Sequence, residues 1–155
     1  MKSELVFRRA VESDVQLYFE WANDPDVRKN SFHQEVIRYH DHCRWFAQKL
    51  DSKNSYLFVV ESSGVPVAQI RIEIDDGTGN INYSVGKDYR GFGYGKAILA
   101  GIAEVIHREG AVCERLQGSI KEDNAPSVAV FKGAGFRQIE KNPECVVYEK
   151  VLNRS

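Results

Sequence analysis

The sequence predicts an α+β fold, with a mixed central sheet of about seven strands and four helices, in one domain covering residues 1–155. Three observations predict it. Strand-like segments follow one another between tight turns from Tyr56 to Val85, which makes an antiparallel meander. The glycine-rich segment Gly86 to Gly95 then opens a long apolar-periodic helix that ends at Gly110. Beyond it, strands and one shorter helix alternate to the end of the chain, so strands outnumber helices and both crossovers and hairpins are needed.

Leu5-Val6-Phe7-Arg8 is a short opening strand. Glu12-Ser13-Asp14 supplies capping chemistry for an amphipathic helix carrying Val15, Leu17, Tyr18 and Trp21, which stops near Asn23-Asp24-Pro25 because the residue before proline is steered from helical angles. A polar stretch from Val27 to Gln34 leads into a second helix expected from about Glu35 to Leu50, with Ile37, Cys43, Trp45, Phe46 and Leu50 inward and His40 and His42 on its surface. Tyr56 to Glu61 is a continuous β-branched and aromatic run. Val67 to Ile74 alternates, placing Ala68, Ile70, Ile72 and Ile74 on one face and Gln69, Arg71 and Glu73 on the other. Asp75 to Gly79 turns the chain into a strand from Asn80 to Val85. Arg115 to Ile120 is a strand, Asn124-Ala125-Pro126 starts a helix to about Lys132, and Phe136 to Ile139 and Val146 to Val151 close the sheet, with Cys145 to Val151 expected at its edge.

Composition narrows the function. With 43% apolar and 28% charged residues and a net charge of -1, the chain has no global attraction for nucleic acid or an anionic membrane, so any anion site must be local. Cys43, Cys113 and Cys145 are odd in number and lack a CxxC pairing, so neither a disulfide framework nor a metal site is expected. No apolar run reaches the ~18 residues that span a bilayer, and a cytoplasmic location is expected.

Chemistry concentrates in the strand–turn–helix unit Tyr83-Ser84-Val85 and Arg90-Gly91-Phe92-Gly93-Tyr94-Gly95. Glycines let backbone approach a bulky anion, and N–H groups at the following helix start point at it with the helix dipole behind them. A dinucleotide-binding turn belongs to a parallel βαβ unit, whereas this strand ends an antiparallel meander; a P-loop ends in Gly-Lys-Ser/Thr, whereas Gly95-Lys96 is followed by Ala97.

The pattern Val85-x4-Arg90-x-x-Gly93-x-Gly95, followed by Asn124-x-x-Ser127 and Phe131-x3-Gly135-Phe136, resembles the GNAT superfamily of N-acetyltransferases across essentially the whole chain. The resemblance implies the acyl-CoA N-acyltransferase fold and acetyl-CoA as co-substrate. It implies that the amides of Arg90, Gly91, Phe92, Gly93, Tyr94, Gly95 and Lys96 hold the pyrophosphate, and that main chain at Ser84 and Val85 meets pantetheine and the acetyl carbonyl. Asn124, Ser127, Phe131 and Lys132 would lie along the coenzyme arm. Many members carry a tyrosine where Phe131 stands, to protonate the leaving thiolate; here the thiolate leaves unprotonated, or Tyr83, Ser84 or Tyr148 substitutes. For the base, Glu73 on the polar face of the meander takes the amine proton directly or through water, and His33 is a second titratable candidate.

In this superfamily the first two helices and their loop build the acceptor pocket. The stretch Trp21-Ala22-Asn23-Asp24-Pro25-Asp26-Val27-Arg28-Lys29-Asn30-Ser31-Phe32 is similar to acetyltransferases of nucleotide-activated amino sugars, including those of pseudaminic acid biosynthesis. That likeness implies a small-molecule amine acceptor, with Arg28 and Lys29 on a diphosphate, Trp21, Trp45 or Phe32 stacked on a base or sugar, and Asn30 and His33 beside it. Acetyltransferases of ribosomal-protein N-termini and of polyamines share part of the pattern, and a non-catalytic coenzyme A-binding module is the alternative from another class. A monomer or homodimer is expected.

Overall fold

The computed structural model describes residues 4–152. Its strands are β1 (Leu5–Arg9), β2 (Ser55–Ser62), β3 (Val65–Asp75), β4 (Thr78–Val85), β5 (Arg115–Ile120), β6 (Arg137–Lys141) and β7 (Val146–Val151), and its helices are α1 (Val15–Ala22), α2 (Pro25–Lys29), α3 (Tyr39–Asp51), α4 (Tyr94–Arg108) and α5 (Ala125–Gly133). The strands form one mixed sheet in the order β1-β2-β3-β4-β5-β7-β6. The seven expected strands are present, and β2, β3 and β4 are the antiparallel meander. Cys145 to Val151 is not the edge: β7 lies between β5 and β6, and β6 is the outer strand.

The sheet is covered on both faces. Phe58, Val60, Ala68, Ile70 and Ile72 pack beneath Ile98, Leu99, Ile102 and Ile106 of α4 and Phe131 of α5. Leu57 and Val59 face the other way, against Tyr18 of α1 and Phe46 of α3. Burial on both faces explains the unbroken apolar run of β2.

Three local features differ from the expectation. Asp24-Pro25 stops α1 and also starts the unexpected α2: Asp24 Oδ1 accepts the Asp26 N–H at 2.9 Å, and Pro25 takes the first helical position, where its missing N–H costs nothing. Glu35 to Arg38 are not helical, because Asn23 engages both backbone groups of Ile37: Oδ1 accepts its N–H at 2.8 Å and Nδ2 donates to its carbonyl at 2.9 Å. The second long helix therefore starts at Tyr39. His42, expected on that helix's surface, is 2% exposed, pairs through Nε2 with the Val15 carbonyl at 3.0 Å and stacks on Phe46.

The feature that positions the site is a divergence in the middle of the sheet. Parallel β4 and β5 pair only through Thr78–Arg115, Gly79–Leu116 and Asn80–Gln117. Beyond these pairs β4 continues to Val85 and β5 to Ile120 without pairing, leaving a wedge that opens toward the turn before α4.

Candidate active site

Backbone alternation settles what β4 presents to the wedge. The Gly86 N–H donates to the Val67 carbonyl at 2.8 Å, so the main-chain groups of Gly86 and Ser84 face β3 and those of Tyr83 and Val85 face the wedge. The Val85 carbonyl is taken: Arg90 Nε donates to it at 3.1 Å. The Val85 N–H remains turned into the wedge.

At the wedge mouth the chain makes one 3-10 turn, Lys87–Tyr89, and passes Gly91 and Gly93 before α4. Both glycines have positive φ, 84° and 83°, which any side chain would resist by roughly 1–2 kcal/mol. A Cβ at Gly91 would meet nothing within 4 Å, so the turn's outer surface is open. Gly93 is the N-cap, and the first intrahelical bond there runs from Ala97 N–H to the Gly93 carbonyl; the N–H groups of Tyr94, Gly95 and Lys96 have no helical partners. This crown of amides at the end of a fifteen-residue helix, exposed at Phe92, Gly93 and Lys96, is of the kind that attracts an anion.

The Arg90 side chain faces elsewhere. Its guanidinium pairs with Asp24 at 3.2 Å and Asp26 at 3.1 Å, tying the turn to the start of α2. Lys121, the first residue after β5, donates to the Lys29 carbonyl at 3.2 Å at the other end of α2. The short helix thus joins the ends of the two diverging strands. Beside it, the ideal Cβ position of Gly86 lies 3.1 Å from the Trp21 indole nitrogen, so Trp21 stands at the end of β4.

Arg28 is not placed to meet a phosphate. Its Nε donates to the Ala22 carbonyl at 2.7 Å, one terminal nitrogen donates to His33 at 2.8 Å and Glu35 at 3.4 Å, and the other reaches Ser31 Oγ at 3.2 Å. Burial lowers its affinity for a proton, which the charge of Glu35 partly offsets. Arg28 holds the loop's shape, while Lys29, Asn30, Phe32 and His33 are exposed on it, Phe32 at 50%.

Phe131 is buried rather than open to solvent. It is 2% exposed, its ring lies on Gly118 of β5, and Phe136, Tyr148 and Tyr83 surround it at 4.9, 6.0 and 6.0 Å between ring centres. Asn124 caps α5, its Oδ1 accepting the Ser127 N–H at 3.4 Å. Ser127 Oγ meets the Tyr83 hydroxyl at 3.2 Å, and burial pushes the Tyr83 phenol above its ordinary pKa, so it keeps its proton. Lys132 is exposed on α5.

On the opposite face of β4, Asn80, Asn82 and Ser84 stand opposite Glu73, Arg71 and Gln69 of β3. Glu73 is ion-paired with Lys49 and near Ser55. It lies four residues along β3 from Gln69, about 13 Å from the Val85 end of the strand. Tyr148 is buried against Phe131. The residues that do flank Val85 on this face are Ser84, Asn82 and Gln69: Gln69 Nε2 donates to Asn82 Oδ1 at 3.1 Å and to Ser84 Oγ at 3.2 Å. Gln69, Asn82, Asp24, Asp26 and Lys121 were not expected at the site; only Asp24-Pro25 carried a sequence signal, that of a helix start.

A separate groove of about 530 Å³ lies between the C-terminal end of α4 and β7, lined by His107, Arg108 and Lys150 among others, at the far end of α4 from the turn.

Residues 4–137 match the family model for the acetyltransferase (GNAT) domain. The chain belongs to that family. As a GNAT acetyltransferase it is similar to the uncharacterized N-acetyltransferase YfmK of Bacillus subtilis (strain 168), 25% identical over 142 residues that cover 89% of this chain and 88% of YfmK. Solved structures share the fold at lower identity. Aminoglycoside acetyltransferase AAC(6')-Ib with coenzyme A superposes with a TM-score of 0.82 at 14% identity, covering 96% of this chain and 95% of that one. A domain from Methanocaldococcus jannaschii DSM 2661 gives 0.83 at 18% identity over 97% and 99% of the two chains. RimL, a ribosomal-protein alpha-N-acetyltransferase in complex with coenzyme A, gives 0.78 at 16% identity over 96% and 94%.

Proposed function

We propose that this GNAT enzyme acetylates the primary amine of a small polar acceptor, a nucleotide-linked amino sugar, using acetyl-CoA bound between the α4 turn and the β4–β5 wedge. The observation that carries the donor assignment is the continuity of two main-chain features. The open amide crown from Gly91 to Lys96 suits a pyrophosphate, and the unpaired edge of β4 leads directly from it to the Val85 N–H. Acetyl-CoA supplies an activated thioester. The Val85 N–H donates to the acetyl oxygen as negative charge develops there, the electrostatic contribution that dominates acyl transfer. The amine reaches the wedge from the face of Ser84 and Asn82; a C–N bond forms, the C–S bond breaks, and the proton lost from nitrogen ends on the departing sulfur. With Glu73 paired to Lys49 and Tyr83 bonded to Ser127, that proton travels through water and the Ser84 hydroxyl, whose oxygen accepts from Gln69 and whose hydrogen is free to donate.

The acceptor class rests on the Trp21 to Phe32 segment. Trp21 at the end of β4 and the half-exposed Phe32 offer ring faces for a base or sugar, and of the two expected cations Lys29 is the exposed one for a diphosphate. A thiol-release assay with acetyl-CoA against UDP-linked amino sugars, aminoglycosides, polyamines and N-terminal peptides tests it. The fastest release is expected with an amino sugar nucleotide. Release confined to another class replaces the acceptor, and coenzyme binding without release from any amine leaves a non-catalytic coenzyme A-binding protein. Gly93→Val, which needs a left-handed backbone and crowds the cradle, is expected to weaken acetyl-CoA binding at least 100-fold; unchanged affinity overturns the donor site.

A further inference from the structure

Among the described residues, one buried side-chain polar atom has no hydrogen-bond partner: Oε1 of Gln69. Gln69 is 6% exposed and stands opposite Ser84, one residue before the N–H that faces the wedge. Its Nε2 is committed twice, to Asn82 Oδ1 at 3.1 Å and Ser84 Oγ at 3.2 Å. The two bonds fix the carboxamide across the end of β4 on the acceptor side, with its oxygen bare. A buried acceptor without a partner costs about 1–3 kcal/mol, and such a cost persists where a ligand relieves it.

We propose that Gln69 positions the acceptor: its Oε1 accepts one N–H of the incoming primary amine. A neutral primary amine has two N–H bonds and one lone pair. Giving one N–H to Gln69 turns the lone pair away from β3 and toward the wedge, where the Val85 N–H waits for the acetyl oxygen. Gln69 Nε2 at the same time occupies Ser84 Oγ as a donor, which leaves the Ser84 hydrogen pointing to other partners. One carboxamide thereby sets both the nucleophile and the hydroxyl beside it. A tertiary amine, having no N–H to give, is not held. The assignment rests on the amine acetylation proposed above.

The test compares Gln69→Met, which keeps the length and removes both polar ends, with Gln69→Glu, which keeps an acceptor. The amine is the one that gives the fastest thiol release in the panel. For Gln69→Met the expected result is an unchanged or higher Tm, an acetyl-CoA KM within twofold of the parent, and kcat/KM for the amine lowered at least 20-fold. Gln69→Glu is expected to recover part of that loss and to move the pH–rate profile upward, because a carboxylate beside the amine holds its proton to higher pH. A residue that only supports the fold would lower Tm, leave the amine kinetics intact and leave the pH profile unmoved; any of these overturns the assignment. If no amine in the panel is acetylated, the activity reading fails by itself. The Gln69 site is then read from its side-chain amide resonance in 15N-glutamine-labelled protein with coenzyme A and a UDP-linked amino sugar: a shift supports the contact and an unmoved resonance overturns it.

Discussion

Gly118 and Phe131 occupy one another's space. A Cβ on Gly118 would stand 2.4 Å from Phe131 Cζ and 2.5 Å from Cε1, with the ring held from behind by Phe136 and Tyr148. The ring cannot retreat, so Gly118→Ala is expected to lower unfolding stability by about 1–3 kcal/mol in urea denaturation. Adding Phe131→Leu should return part of that loss, since a smaller side chain gives the methyl room; additive losses would show that the two do not share the site. Phe131 is thus a packing residue against β5. Arg28 makes the same point for charge. Four hydrogen bonds within the loop use its donors, so a cation placed well for a diphosphate in the sequence is a loop brace in the fold.

The element that links the two halves of the site is α2. A five-residue helix has little stability of its own, and it is held by contacts at both ends: Asp24 and Asp26 to Arg90 at the turn, and the Lys29 carbonyl to Lys121 after β5. Arg90 also fixes the Val85 carbonyl, so the glycine turn, the start of α2 and the end of β4 share one guanidinium. Arg90→Lys keeps the charge and loses the fork that spans three acceptors. The expected outcome is faster amide hydrogen exchange in residues 24–30, by roughly tenfold or more, together with a raised KM for both substrates. Exchange as slow as in the parent would show that α2 is held by other contacts.

At the scale of the whole molecule, acid stability follows from two buried groups under the first helices. His42 is buried on α3, and desolvation lowers its pKa below the ordinary 6.5. The folded chain therefore binds fewer protons than the unfolded one, and stability falls as pH drops below 6.5 until the folded pKa is passed. Asp14, 6% exposed, has its pKa lowered below 3.8 by hydrogen bonds from Arg8, against a smaller desolvation penalty. Its contribution is complete above 3.8 and is lost as pH falls further through the folded value. Urea midpoints are expected to be flat above neutrality, to decline below 6.5 and to decline again below 3.8. Asp14→Asn should remove the lower step and cost about 1–3 kcal/mol at pH 7, and His42→Gln should flatten the upper one. Both groups sit between β1, α1 and α3, so these steps report on the layer that carries the acceptor loop.

Patterns that are local in the chain were legible without coordinates. Period-two alternation gave β3 and its two faces, the apolar run gave β2, and glycines before an apolar helix gave the turn that opens α4, because each depends on the backbone preferences of neighbouring residues. The family's spacing of Arg90, Gly93, Gly95 and Asn124 could be read for the same reason. Side-chain assignments that depend on partners far along the chain could not. The sequence shows which face of the strand Glu73 is on, but its distance from Val85 is set by the β3–β4 register and its partner by α3. Arg28, His42 and Phe131 each read as a functional or surface residue until the fold supplied carbonyls, a buried helix face and Gly118 around them. Gln69 showed only that it lay on the polar face of a strand; that its amide is bonded at one end and bare at the other follows from the packing of β3 beside β4. Sequence by itself determined the fold and the glycine turn before α4, because both are written in short-range backbone chemistry. Tertiary structure alone decided which polar side chains are left free at the wedge, because a side chain is free only when no distant group in the folded chain has taken its hydrogen bonds.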